Sequence, residues 1–171
     1  MRTIGIIFLI IVSMISSNSF AQNNEKKKLD YKPKTLDEAI IQLDLIIPDS
    51  TKQQIKEMPE NEFIGRSHFS MGLWIRNDWG LWKKKKLAKH FNSLGIYHPD
   101  DMSGIILTCY YRHLNNQEYK LDEQIKYYQE YWRKAKEHDY KMKTDTAYAR
   151  KIERESKEAW RKMQEEKIKD N

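Results

Sequence analysis

The stretch PDDMSGIILTCYYRHL, residues 99–114, decides the fold class. Pro99, Asp100 and Asp101 make a good first helical turn: the proline ring presets φ, and acids complement the positive end of the helix dipole. Behind them Met102, Ile106, Cys109 and His113 recur at three- and four-residue intervals, the spacing of one helical stripe. Asn115-Asn116-Gln117 ends the run. No alternating run of β-branched residues bounded by turns occurs here or elsewhere in the sequence.

The same periodicity extends in both directions. Upstream, Thr35 with Glu38 three residues on forms a capping box, followed by Leu36, Ile40, Leu43 and Ile47 and stopped at Pro48. Asp49 or Ser50 caps a short helix through Met58, and Pro59 opens another from Glu60 to about Arg66. The spacing predicts helices over 67–79, with Gly80 as the stop, and over 83–94, with Gly95 just beyond. Downstream, Leu121, Ile125, Tyr128, Trp132, Ala135 and Met142 predict one long helix, with Asp139 interrupting the stripe. After Thr144-Asp145-Thr146 the apolar stripe thins, and the pairs Glu153–Lys157, Glu158–Lys162 and Glu165–Lys169 support the helix instead. The fold is expected to be all-α: a compact bundle of about five or six short helices followed by a long charged C-terminal helix.

Residues 1–21 read as a cleavable secretory signal. Arg2 precedes an apolar run from Ile4 to Ile15, and Ser19 and Ala21 occupy the small-residue positions before a cleavage site. That run falls short of the roughly 20 residues a membrane-spanning helix needs. No cysteine follows the cleavage site to take a lipid. The expectation is therefore an exported protein, periplasmic or extracellular, without a transmembrane anchor in the mature chain. Residues 22–34 read as a flexible leader, 31–132 as the domain, and 133–171 as a charged helical extension.

The 171-residue chain carries 31 Lys+Arg against 25 Asp+Glu, a net charge of +6 with the signs interleaved. A nucleic-acid binder concentrates its cations on one face, so none is expected as a partner. Cys109, the only cysteine, permits no internal disulfide and lies in an apolar run, where it reads as a small buried hydrophobe. None of the five histidines has a partner at H-x-x-x-H spacing, so no metal site and no cofactor is expected.

The segment densest in chemistry runs from His68 to Trp82. Trp74, Trp79 and Trp82 fall there beside Arg76, Asn77 and Asp78. Two readings compete: Trp74 and Trp79 pack inward with Arg76 pairing Asp78, or the segment is a recognition surface with Arg76 stacked on an exposed indole. His98, Asp100 and Asp101 are the neighbouring candidates, since two adjacent carboxylates exceed what capping needs. A hydrolase would need paired carboxylates across a cleft, for which Glu62 with Asp100 or Asp101 are the candidates. No nucleophile elbow, P-loop or dinucleotide fingerprint is present. Lys83 to Lys86, with Lys89, open a helix at the end where cations are least welcome. Most of that run reads as a solvated face, with contact to an acidic partner or surface as the alternative.

Four pieces carry a resemblance: Tyr31-x-Pro33-Lys34-Thr35-Leu36-x-Glu38-Ala39; Glu62-Phe63-Ile64-x-x-Ser67-His68-Phe69; Trp74-Ile75-Arg76-Asn77-x-Trp79-Gly80-Leu81-Trp82; and Gly95-Ile96-Tyr97-His98-Pro99-Asp100-Asp101-Met102-Ser103. Together they resemble one uncharacterised bacterial domain family over about residues 31–132. The resemblance implies one compact domain and brings no activity, substrate or catalytic residue with it. The chain departs from the family's pattern after Trp82, where Lys84 and Lys85 stand in place of a glycine or small polar residue. The leading expectation is a non-enzymatic binding module, monomeric or weakly dimeric, that takes an envelope protein or glycan through Trp74, Arg76, Asn77, Trp79 and Trp82. The alternatives are a small hydrolase of envelope polymer and a periplasmic inhibitor or immunity-type protein.

Overall fold

The computed structural model describes residues 30–169, so the signal segment and most of the leader lie outside the described residues. The described residues hold eight helices and no strand: α1 (Leu36–Ile46), α2 (Asp49–Glu57), α3 (Glu60–Ser67), α4 (Met71–Asp78), α5 (Lys86–Ser93), α6 (Pro99–Leu114), α7 (Leu121–Thr144) and α8 (Thr146–Lys169). The chain divides into two units, one ending at Ile125 and the other beginning at Lys126.

In the first unit α6 is the hub, and every principal helix–helix contact is made with it, by α1 to α5. This explains why its buried surface is wider than one stripe. Besides Met102, Ile106 and Cys109 it buries Ile105, Leu107, Tyr110 and Tyr111, as a helix surrounded by others must. His113, expected on the buried stripe, is exposed near the end of α6 with Nδ1 3.1 Å from the Tyr119 hydroxyl. Two polar ties fix α6 to the segments beneath it. The Tyr111 hydroxyl donates to the Met58 carbonyl at 2.7 Å, and the Arg112 guanidinium grips Glu60 through Nε and Nη2 at 2.9 and 2.8 Å.

Local chemistry sets the helix ends. Thr35 Oγ1 accepts the Glu38 amide at 3.2 Å, while the Glu38 carboxylate takes the Lys34 amide and the Tyr31 hydroxyl. The Tyr31 hydrogen bond, followed by that from Lys34, holds the Glu38 carboxyl below the usual range. Residues 31–34, read as the end of a flexible leader, are thereby tied down, with Pro33 buried and Lys32 Nζ 2.6 Å from Asp78. The helix predicted over 67–79 begins later, at Met71, because the Ser70 amide and hydroxyl turn back onto the Ser67 carbonyl. The helix predicted from Lys83 begins at Lys86. Gly80 at φ 69° and Lys84 at φ 48° put the intervening residues in left-handed turns. A Cβ on Gly80 would lie 2.7 Å from Lys85 Cδ, so glycine here serves both the turn and the seating of the Lys85 stem.

In the second unit, α7 continues from Lys126 and α8 starts on a side-chain cap: Asp145 Oδ1 accepts the amides of Ala147 and Tyr148 at 3.0 Å. No residue described in this unit is buried. Its surface carries ion pairs at helical spacing, such as Arg133 with Glu130 and Glu137, and Lys157 with Glu153.

Candidate functional site

Arg76 lies inside the first unit. Its side chain is 4% exposed. Nη1 donates to Ser103 Oγ at 2.8 Å and Nη2 to the His68 carbonyl at 3.1 Å. Nε lies 2.9 Å from Asp100 Oδ1 without an aligned hydrogen bond, so that contact is chiefly Coulombic. Gly72, one turn earlier on α4, makes room: a Cβ there would meet Arg76 Nη1 at 3.1 Å and the Ser67 carbonyl at 3.2 Å. Two sequence expectations are corrected here. Arg76 does not pair with Asp78, which holds Lys32, and it does not stack on an exposed indole. The two hydrogen bonds and the carboxylate contact offset part of the cost of burying the guanidinium.

Asp100 is thus the anchor of Arg76 as well as a first-turn acid of α6. The cap of that helix is His98, whose Nδ1 accepts the Asp100 amide at 3.3 Å and lies 3.5 Å from the Asp100 carboxylate. Asp101 is half-buried beside it.

The three tryptophans separate. Trp79 is 1% exposed and meets half-buried Trp74 edge to face, with centroids 5.3 Å apart. Trp82, beyond Gly80, is 52% exposed and stands edge-on to the His98 ring at 6.0 Å. Tyr97, next to His98 in the chain, is also exposed. Trp74 and Asn77 line a different feature, a shallow pocket shared with Ser70, Leu73 and Asp78. The predicted set is therefore divided: Arg76 and Trp79 are interior, Trp82 meets His98, and Trp74 with Asn77 border the shallow pocket.

Glu62 is exposed on α3, with its carboxylate 2.6 Å from Arg66 one turn on. Among the described residues no group of three or more His, Cys, Asp or Glu side chains gathers in a form that would hold a metal. Cys109 is fully buried on α6, and burial pushes its thiol up to about 11, with Gln124 Nε2 at 3.5 Å. A thiol so placed stays protonated and is a poor nucleophile.

Residues 32–114 match the model of DUF6794, a domain of unknown function. No curated protein and no solved structure matches the chain. The DUF6794 match starts at Lys32, which pairs with Asp78, and ends at Leu114, the last residue of α6. It takes in α1 to α6 and every candidate residue named above, and leaves α7 and α8 outside.

The matched segment also holds a lysine-lined pocket that the linear pattern underplayed. Lys32, Pro33 and Lys34 meet Lys84, Lys85, Lys86 and Lys89 around one pocket, with Trp79 among its walls. In the sequence the lysine run shows only as a cluster before α5. Lys32 and Lys34 join it through the fold, and no spacing rule announces that.

Proposed function

We propose that this chain is an exported, non-enzymatic binding module of the cell envelope that recognises a glycan through an aromatic surface at Trp82 and His98. One observation carries the reading: Trp82 is a half-exposed indole in the turn after Gly80, with the His98 ring edge-on to it. A large apolar side chain costs solvation free energy when left in water. An indole exposed there offers its face to a sugar ring, and with two side-chain torsions it loses little entropy on binding. Exposed Tyr97 adds a second ring on the same segment as His98. The hydrolase alternative is less well supported. Glu62 is solvated and paired with Arg66, and Asp100 is bound to Arg76, so neither sits in the apolar pocket that makes a carboxyl a proton donor.

Two measurements test this. Mass spectrometry of the envelope fraction should find a mature amino terminus at Gln22, and an intact Met1 in the cytosol would reject export. Co-sedimentation with purified cell-wall sacculi should retain the mature protein. Trp82→Ala should weaken retention about 30-fold, as hot-spot aromatics do, with the melting temperature unchanged. A protein that ignores the sacculus, or is retained equally with and without Trp82, would overturn the reading. So would capture of an envelope protein in place of the glycan.

A further inference from the structure

We infer that the lysine-lined pocket at the start of α5 is a binding site for a phosphoryl oxyanion. Its residues are distinct from Trp82 and His98, so this inference stands or falls separately from the proposed function.

Two features converge there. The first is charge. Lys32, Lys34, Lys84, Lys85, Lys86 and Lys89 line one pocket. Among the described residues only Lys32 of these has an ion pair, with Asp78 at 2.6 Å. Glu38 feels the charges of Lys34 and Lys86, but its carboxylate already accepts from the Tyr31 hydroxyl and the Lys34 amide at 2.7 and 2.8 Å. So many like charges in one pocket repel one another unless an anion sits among them.

The second feature is the backbone. α5 opens from Lys85 with no side-chain cap and no acid in its first turn. The amides of Lys86, Leu87 and Ala88 thus lack the side-chain acceptor that Thr35 supplies for α1 and His98 for α6. They add the positive end of the helix dipole to the lysine charges, the combination that binds phosphate elsewhere. Trp79 forms part of the pocket wall.

A phosphoryl group fits better than a carboxylate. It presents several strong acceptor oxygens and carries close to two charges when it is a monoester. Lysine ammonium groups bind it as point charges without demanding the planar fork that arginine gives. The group can belong to a soluble phosphate ester or to a lipid headgroup.

The test uses the full mature chain and inorganic pyrophosphate, titrated calorimetrically at low ionic strength. One saturable site is expected, weakening steeply with added salt. Lys85→Gln with Lys86→Gln should lower affinity at least tenfold, and Lys84→Gln with Lys89→Gln should do the same if the first pair disturbs folding. Lys56→Gln with Lys126→Gln, which removes equal charge elsewhere, should change it less than twofold. Trp82→Ala should leave it intact. Phosphatidylglycerol vesicles separate the sources: vesicle binding that pyrophosphate displaces assigns a headgroup, and pyrophosphate binding without vesicle binding assigns a soluble ester. Absence of saturable pyrophosphate binding, or equal losses in the pocket and control variants, would overturn the site.

Discussion

Asp100→Ala should cost the first unit about 3 kcal/mol, the low end for a buried pair, because it strips the counter-charge from a buried guanidinium while Asp100 itself is 37% exposed. Arg76 is 4% exposed. The bonds to Ser103 and the His68 carbonyl remain, but both are to neutral oxygens. At about 4–8 °C per kcal/mol for a domain of this size, the melting temperature should fall by roughly 12 °C or more. The double variant Arg76→Met, Asp100→Ala should recover much of that loss, since an apolar side chain there needs no partner. Thermal unfolding by circular dichroism reads both. A fall under roughly 4 °C for Asp100→Ala would mean that solvent already screens Arg76.

Trp79→Ala should be comparably damaging, at about 3–5 kcal/mol, the usual cost of truncating a large core aromatic. Trp79 is 1% exposed and supports Trp74 edge to face, so its loss leaves a void beneath a second indole. Trp82→Ala, only three positions on in the chain, should stay within about 0.5 kcal/mol, as surface changes do. Trp79→Phe should fall between them: it loses packing volume but also removes an N–H buried without an acceptor. Equal destabilisation by Trp79→Ala and Trp82→Ala in urea titrations would contradict the separation of core from surface drawn here.

What the sequence revealed, and what it hid, follows from the range of each interaction. Thr35 with Glu38, Gly80 and Gly95 act within a few residues, so the stops and the first cap were legible from local chemistry. Which of the three indoles would be exposed was not legible: it is Trp82, beyond the glycine that ends α4. Nor was the burial of Arg76. A charged residue defaults to the surface, and only the approach of α6, which brings Asp100 and Ser103 together with the His68 carbonyl, gives it partners in the interior. The expectation that Arg76 would take Asp78 came from sequence proximity, whereas Lys32 claims Asp78 from across the fold. The lysine pocket was half visible for the same reason. Lys84 to Lys86 and Lys89 lie close in the sequence, and Lys32 and Lys34 reach them only once the segment before α1 is anchored.

The position of α6 in the order of synthesis has a further consequence. Every principal helix–helix contact of the first unit runs through a helix that ends at Leu114, after α1 to α5 have already been made. A nascent chain holding only those five helices has no partner for their apolar stripes, and isolated helices of 8 to 11 residues are marginal in water. Such a chain should remain unstructured until its hub leaves the ribosome and then collapse in one step.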